Sequence, residues 1–289
     1  MLGAARPQFY RFRLGAFEVT SLLDGALPFD GPHPIFGEDQ SASTVAELAE
    51  ANFLPEARME ISFTPLLVNT GSELVLLDAG NPAERGPAAA NLVQALQAAG
   101  YEPEQVDVLV ITHMHPDHIG GLMRDGAPVF PNARYYTAEA EYDFWSHEDR
   151  LSGGTEGVAR LVQVNVVPLA EKMTFLKDES EIVPGIRAVA AFGHTPGHMA
   201  MHIESEGERL LHWADAANHH VLSVQRPEWH VRFDMDKEAA VATRKRLLDF
   251  ASAERLPVAG YHMPFPALGY IDARGGEYRW VPVSYQLHL

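Results

Sequence analysis

The sequence contains no cysteine. This absence excludes disulfides, thiolate metal sites and cysteine nucleophiles, and it leaves the redox compartment open. Apolar runs long enough to span a membrane are also missing, and the stretch "MLGAARPQFYRFRLG" lacks the apolar core of a signal peptide. We therefore expect a cytoplasmic protein as the sequence stands, or a periplasmic or secreted one if a leader precedes it.

Basic residues are scarce. Lys and Arg number 22 against 39 Asp and Glu, which gives a formal net charge of −17. A surface that follows a phosphate backbone needs clustered Lys and Arg, and no such cluster stands out. We expect no nucleic-acid partner and no membrane partner, and we interpret the acidic surface as a source of solubility.

The 289 residues have ordinary globular composition, 46% hydrophobic and 21% charged, and no low-complexity tract divides them. We expect a single domain over residues 1–289. The succession of hairpin and helix patterns predicts an α+β architecture in which two β-sheets pack together with helices outside.

Apolar periodicity bounded by Gly, Pro or capping residues predicts the individual elements. They include a β-hairpin over 9–25 that turns at Gly15, a helix over 43–53 capped by Ser43 or Thr44, a helix over 86–100 with Pro87 near its start, a buried strand over 106–112, a helix over 137–150, an interruption at 152–157, a helix over 236–254 and a closing strand over 277–287.

Three histidines and an aspartate stand within six positions in "HMHPDH", after the apolar run "VDVLV". Alternate residues of an extended segment point to the same side, so His113 and His115 can chelate one ion. Pro116 stiffens the turn, after which Asp117 and His118 can face a neighbouring point. Imidazole combined with carboxylate suits Zn, Mn, Co or Fe better than Ca or Mg.

Further candidate ligands follow three apolar strands, where loops commonly build sites. His194 follows "AVAAF", Asp215 ends "LLHWAD" and His262 ends "VAGYH". A hydroxide shared by two metals roughly 3.5–4 Å apart would complete such a centre. The two coordination shells are His113, His115 and His194 on one ion, Asp117, His118 and His262 on the other, and Asp215 between them.

Other histidines have less specific signals. An isolated HxH pair is more often structural than metal-binding, and it is the later strand-end residues that favour a metal centre. His198 in "GHTPGH" is an eighth candidate ligand, but because both shells are filled we expect it to form structural hydrogen bonds. We expect the remaining candidates to lie at the surface or in loops: His212, His219, His220 and His230.

The order HxHxDH, His, Asp, His resembles the signature of the metallo-β-lactamase superfamily, and the resemblance covers nearly the whole chain. Six stretches look more narrowly like methyl parathion hydrolases and their lactonase relatives: "YRFRLGAFEVTSLLDG", "LLVNTGSELVLLDAG", "AAGYEPEQVD", "ITHMHPDHIGGL", "GHTPGH" and "YRWVPVSY". The resemblance implies an αβ/βα four-layer sandwich, the metallo-β-lactamase fold. It also implies two divalent transition-metal ions per chain, zinc first, with Mn, Co or Fe as alternatives, and a homodimer.

The resemblance implies further roles. Asp78 in "LLDAG" matches a carboxylate that orients a ligand histidine, although a turn-forming aspartate is an equal alternative. Trp145 matches a tryptophan that lines the substrate pocket, and Tyr270 is a further candidate for that role. Asp117 matches the residue proposed to pass a proton to the leaving alkoxide in related lactonases, and Asp215 bridges the metals.

The expected nucleophile is a metal-bridging hydroxide. The sequence has no GxSxG motif and no cysteine, so a covalent acyl intermediate on the protein is not expected. Metal coordination makes hydroxide available at neutral pH, and the two ions polarise the substrate oxygen and stabilise the developing charge.

The sequence departs from the parathion-hydrolysing proteins around the pocket. Arg85 in "NPAERGP" stands where those proteins have an aromatic residue, and we expect it to contact substrate. The insert after the "DFW" helix is shorter, "LSGGTEGVARLVQ", and has no phenylalanine. We therefore expect a small-molecule lactone or aryl ester as substrate, with phosphotriester hydrolysis as a side activity, and keep a dedicated organophosphate hydrolase as the alternative.

Other functional classes fit less well. A flavodiiron oxidoreductase needs a flavin domain for which the chain has no length, and a mononuclear-iron oxidoreductase of this fold uses fewer ligands. A processing nuclease would need a basic surface and a further domain. A purely binding or structural protein would be expected to lack one or more of the seven ligands.

Overall fold

A computed structural model describes residues 5–284 and 287–288. Within these ranges the strands are β1 Phe9–Leu14, β2 Phe17–Leu22, β3 Gly25–Phe29, β4 Met59–Phe63, β5 Leu66–Asn69, β6 Leu74–Leu77, β7 Val108–Val110, β8 Met123–Arg124, β9 Ala127–Pro128, β10 Arg134–Ala138, β11 Met173–Leu176, β12 Glu181–Val183, β13 Ile186–Ala190, β14 Met199–Ser205, β15 Glu208–Ala214, β16 Pro257–Gly260, β17 Leu268–Asp272 and β18 Arg279–Pro282.

The α-helices are fewer and lie mostly between the strands. They are α1 Ala42–Ala51, α2 Leu92–Ala98, α3 Pro116–Ile119, α4 Glu139–Ser146, α5 Glu156–Asn165, α6 Leu222–Gln225 and α7 Lys237–Ala253. Short 3-10 helices cover Ala83–Ala88, Pro103–Gln105, Glu148–Leu151, Gly153–Thr155, Val167–Lys172 and Arg274–Gly276. No helix of the described part combines the length and the apolar character needed to cross a bilayer.

Two seven-stranded sheets form the centre of the molecule. The first has the order β1-β2-β5-β6-β7-β10-β11, and the second has the order β12-β13-β14-β15-β16-β17-β18. Strands β6, β7, β10 and β11 run parallel, as do β15 and β16, and the other pairs within these two sheets are antiparallel. Successive side chains of a strand point to opposite faces of its sheet. Both faces of each sheet carry apolar side chains, and both must therefore be covered.

Four layers result from covering these faces. One buried cluster joins the inner faces of both sheets, with Val19 and Val108 from the first and Met201 and Leu210 from the second. The outer face of the first sheet packs against α2 and α5, and the outer face of the second packs against α7. The expected αβ/βα four-layer sandwich, the metallo-β-lactamase fold, is confirmed.

The local predictions differ from the structure in three places. The N-cap of α1 is Ser41, whose side chain accepts from the backbone N–H of Thr44, and not Ser43 or Thr44. Pro87 lies inside the 3-10 helix before α2, and α2 begins only at Leu92. The closing strand ends at Pro282, and residues 285–286 of the predicted strand lie outside the described residues.

Candidate metal centre

Candidate ligands follow the C-terminal ends of four strands. The cluster beginning at His113 follows β7, His194 follows β13, Asp215 directly follows β15, and His262 follows β16. Because β15 and β16 are parallel neighbours, the segments after them emerge at the same edge of the second sheet. The fold thus brings together side chains that are up to 149 positions apart, from His113 to His262.

The first group is the three-histidine set, His113, His115 and His194. The Nδ1 atom of His115 lies 3.1 Å from Nε2 of His113 and 2.9 Å from Nε2 of His194. Zn–N bonds of 2.0–2.1 Å in a tetrahedron place two nitrogens about 3.3 Å apart. The three ring nitrogens therefore converge at close to the spacing of a common ion.

The second group is the Asp117 set, Asp117, His118 and His262. Oδ2 of Asp117 lies 3.5 Å from Nε2 of His118 and 3.4 Å from Nε2 of His262. Asp215 stands between the two sets, with Oδ2 at 3.3 Å from Nε2 of His194 and 3.0 Å from Nε2 of His262. All seven predicted ligands thus lie in two adjoining groups that share one carboxylate.

Hydrogen bonds leave the inward-facing nitrogens free to bind a cation. His118 donates through Nδ1 to Asp78, His194 through Nδ1 to Asp234, and His262 through Nδ1 to the carbonyl of Ser62, at 2.8, 2.8 and 2.9 Å. The Nε2 atom of each ring then faces the centre, where a metal ion can take the place of its proton.

Two buried atoms at the centre have no hydrogen-bond partner among the described residues. They are Nε2 of His118 and Oδ1 of Asp215, which lie 3.4 Å apart. A lone pair and a carboxylate oxygen left unpaired at that distance are costly unless a cation joins them. The donor set therefore fits two transition-metal ions, and imidazole with carboxylate is the ligand chemistry that zinc prefers.

The electrostatics of the centre agree with cation binding. Burial lowers the pKa of His113 well below its ordinary value and that of His115 to about 3, so both rings are neutral ligands at pH 7. Burial raises the pKa of Asp215, but His262 and His118 outweigh it and hold the pKa well below the ordinary range. Burial likewise opposes a charge on His194, but Asp215 and Asp234 raise its pKa to about 9.

Asp78 orients a candidate ligand and has a left-handed backbone conformation. Its Oδ2 accepts from His118, and its two oxygens accept from the backbone N–H and the hydroxyl of Thr112 at 2.8 and 2.9 Å. Its φ of 67° lies in the left-handed region, directly after the end of β6.

His198 lies behind Asp215 and forms two hydrogen bonds. Its Nδ1 donates to the carbonyl of Ala191 at 2.9 Å, and its Nε2 accepts from the backbone N–H of Asp215 at 3.1 Å. Both ring nitrogens are thereby occupied. The structure gives His198 the hydrogen-bonding position that the sequence led us to expect, outside both ligand sets.

A cavity of about 320 Å³ opens over the centre. We call it the apolar cavity; its lining residues outside the ligand sets are Phe29, Phe36, Ile61, Phe63, Arg85, Pro116, Val158, Asn218 and Phe233. Arg85 lies where we expected a substrate contact, with its guanidinium carbon 5.6 Å from the centroid of the Phe63 ring. Its guanidinium has no hydrogen-bond or carboxylate partner within the described part of the chain.

The two segments that differ from the parathion-hydrolysing proteins, around Arg85 and after α4, contribute no aromatic ring to the cavity. Other parts of the chain supply four rings, from Phe29, Phe36, Phe63 and Phe233. The predicted interruption at 152–157 contains a 3-10 helix over Gly153–Thr155, and α5 already begins at Glu156, so that Val158 of α5 reaches the cavity.

Two predicted substrate contacts have other positions. Tyr270 lies on β17 opposite Pro257, the first residue of β16, whereas His262 follows the far end of that strand. Trp145 is 2% exposed and its ring centroid lies 6.3 Å from that of His115, so it supports the ligand from behind. Neither residue lines the apolar cavity.

The expectation of a surface or loop position is wrong for His212, which lies in β15 and is 1% exposed. His219 lies in the loop between β15 and α6, as expected, although it is buried there. Leu211 and Trp213, on either side of His212, pack on the outer face of the second sheet. Because successive side chains of a strand face opposite sides, the alternation predicts that His212 faces the interior between the sheets. His220 and His230 are partly exposed.

Sequence reasoning missed two buried carboxylates next to the centre. Asp234 accepts from His194 and, at 2.7 Å, from the buried guanidinium of Arg244 on α7. Glu141 on α4 contacts the segments that carry His115 and His194. Asp234 lies in a loop, where no periodic pattern could have indicated its position. Glu141 stands four residues before Trp145, so the helical pattern places both residues on the same face of α4.

Comparison with known proteins agrees with this geometry. The family model described as the metallo-beta-lactamase superfamily matches residues 64–257. An N-acyl homoserine lactonase from a Bacillus species is 30% identical over 167 residues, which are 57% of this chain. The aligned part is 58% of that relative, so the chain matches somewhat more than half the length of its curated relatives.

Two solved structures are similar over nearly their whole length. AidC, described as a dizinc quorum-quenching lactonase with a bound N-hexanoyl homoserine product, has a TM-score of 0.87 at 25% identity, covering 96% of this chain and 98% of AidC. The hydrolase AbOPH has a TM-score of 0.89 at 27% identity, covering 98% of this chain and all of AbOPH.

Proposed function

Because this chain belongs to the metallo-beta-lactamase superfamily, we propose that it is a two-metal hydrolase that cleaves lactones or aryl esters. The observation that carries the proposal is the pair of adjoining ligand sets, with Asp215 in contact with His194 of one and with His118 and His262 of the other. The similarity to a lactonase of Bacillus and to the lactonase AidC supports the substrate class.

In this proposal the three-histidine set holds one divalent ion and the Asp117 set holds the other, with Asp215 between them. Zinc is the first choice, and Mn, Co or Fe are alternatives. When bound, two such ions supply Lewis acidity, which acidifies a water molecule and polarises the carbonyl or phosphoryl oxygen of a substrate.

The residues of the chain bind the substrate and move the proton. Burial raises the pKa of Asp117, but His118 and His262 outweigh it and the pKa is lowered, so the carboxylate is ionised at neutral pH. Asp117 also lines the apolar cavity, where it can accept a proton and pass it to the oxygen of the leaving alkoxide. The hydroxyl of Tyr261 donates to the backbone carbonyl of Asp117 at 2.5 Å and fixes that segment.

The apolar cavity excludes water and binds the organic part of the substrate. Its volume of about 320 Å³ lies at the small end of ligand pockets, and its aliphatic and aromatic walls suit an acyl or aryl group. Arg85 offers guanidinium donors that have no hydrogen-bond partner among residues 5–284 and 287–288. We propose that Arg85 binds an acceptor oxygen of the substrate away from the scissile bond.

A dedicated organophosphate hydrolase is the second candidate. The four phenylalanine rings of the apolar cavity favour it, because they suit the aryl group of a phosphotriester. We place triester hydrolysis second, as a side activity, since Arg85 stands where the parathion-hydrolysing proteins have an aromatic residue.

Kinetics on three matched substrates separate these candidates. The zinc-loaded protein would be assayed for kcat/KM on an N-acyl homoserine lactone, a neutral aryl ester and a dialkyl aryl phosphotriester. We expect the lactone or the aryl ester to exceed the triester by at least about 100-fold, since triester cleavage would use a pocket built for another substrate. A triester preference of several orders of magnitude would reverse the ranking.

We also propose one catalytic domain over the whole chain and a homodimer. Both sheets share one inner core, which supports a single domain. Phe53 is 98% exposed, and burial of this ring against a second copy would remove a large apolar side chain from water. Light scattering of the purified protein and of Phe53→Ser tests the dimer; a wild-type monomer would refute it.

A further inference from the structure

Glu141 is a buried carboxylate at the middle of the ligand-bearing segments. It lies on α4, its exposed fraction is 0%, and none of the ion pairs of the described residues involves it. A buried carboxylate without a cationic partner is expensive and needs a full set of hydrogen bonds.

Four donors supply that set, two on each oxygen. Oε1 accepts from the backbone N–H of Met114 and from the indole N–H of Trp145, both at 2.9 Å. Oε2 accepts from the hydroxyl of Thr195 at 2.7 Å and from the backbone N–H of Gly197 at 2.8 Å.

Two of these donors are sequence neighbours of the candidate metal ligands. Met114 lies between His113 and His115, and Thr195 directly follows His194. One oxygen of Glu141 thus holds the segment with two ligands of the three-histidine set, and the other oxygen holds the segment with the third. Trp145, fixed by the same carboxylate, lies against the ring of His115.

Gly197 permits this close approach. A Cβ atom at position 197 would lie 2.3 Å from the backbone nitrogen of Glu141 and 2.6 Å from its Cβ. No side chain fits there, so the "GHTPGH" segment packs directly on the first turn of α4.

The Asp117 set has separate supports. His118 bonds to Asp78, His262 bonds to the carbonyl of Ser62, and the carbonyl of Asp117 accepts from Tyr261. None of these bonds involves Glu141 or its donors.

We propose that Glu141 is a positioning residue that sets the three-histidine site alone, by tying its two ligand-bearing segments to α4. This role rests on the proposed two-metal function. Only an ionised carboxylate accepts from four donors at once, because the amide of glutamine would turn an NH₂ group towards two of them.

Glu141→Gln tests the role, with Glu139→Gln as the matched control, an exposed glutamate on the same helix. Zinc content and stepwise affinity would be measured by chelator competition, together with the Tm of the metal-free proteins. We expect Glu141→Gln to keep one ion at wild-type affinity and to bind the other roughly 10–100-fold more weakly. Glu139→Gln should match the wild type.

Thr195→Val provides a second test that keeps the fold if Glu141→Gln does not. It removes one donor of Oε2 with little change of shape, and we expect a several-fold weakening of the same single ion. Unchanged affinities in these variants, or equal weakening of both ions, would overturn the role of Glu141. Wild-type protein that binds fewer than two ions would instead refute the two-metal function.

Discussion

The metal centre and the apolar cavity above it are built in opposite ways. Three ligand rings of the centre are held by further hydrogen bonds, those of His118, His194 and His262 to Asp78, Asp234 and Ser62. The cavity is closed by single apolar side chains from distant parts of the chain, and the guanidinium of Arg85 has no hydrogen-bond or carboxylate partner among the described residues. The centre therefore fixes the type of reaction, whereas substitutions in the cavity can change which substrate is preferred.

The largest effect is expected at the carboxylate that the two ligand sets share. Asp215→Ala removes a carboxylate ligand from both ligand sets, so we expect a loss of kcat/KM of roughly 1000-fold or more. Far-UV circular dichroism should remain close to that of the wild type. Retention of turnover within tenfold would remove Asp215 from its bridging position.

A smaller effect is expected at Asp234, which is hydrogen-bonded to the candidate ligand His194. Asp234→Asn keeps the shape but weakens the hold on Nδ1 of His194 and leaves the buried guanidinium of Arg244 without its anion. We expect zinc affinity of the three-histidine set to fall about 10–100-fold, measured by chelator competition. Asp236→Asn, at an exposed position two residues later, is the control for this region.

In the cavity we expect selectivity to change rather than the reaction. Arg85→Met should lower kcat/KM about 10- to 150-fold for an ester with a carboxylate or amide oxygen, since a charge-assisted hydrogen bond contributes about 1.5–3 kcal/mol. An unfunctionalised aryl ester should change less than threefold. Arg150→Met, an arginine stacked on Phe144 outside the cavity, is the matched control. Equal losses on both esters would contradict a contact between Arg85 and substrate.

The smallest effect is expected at Tyr270. Because it lies at the end of the second sheet away from His262, Tyr270→Phe should keep kcat/KM within about twofold on every substrate of the panel. A selective loss on one substrate class would return Tyr270 to the pocket.

The same contrast explains what the sequence could predict. The seven candidate ligands follow recognisable apolar strands, so their convergence follows from strand polarity and the spacing of "HMHPDH". No local sequence pattern links Asp234 to His194 or Glu141 to Thr195. The hydrogen bonds between them join residues 40 and 54 positions apart.

The cavity was less predictable for a related reason. Phe29, Phe63 and Phe233 meet only through tertiary packing, and no local pattern connects them. The glycines of residues 152–157 predict an interruption there, yet Ala159, Val162 and Val166, which follow, have helical spacing and pack on the first sheet. Here apolar periodicity outweighed the local glycine signal.

The metal content of the purified chain tests the central claim most directly. After loading with zinc and removal of free metal, elemental analysis should find close to two ions per chain, one for each ligand set. One ion per chain, or none after loading, would contradict a centre in which Asp215 joins the three-histidine set to the Asp117 set.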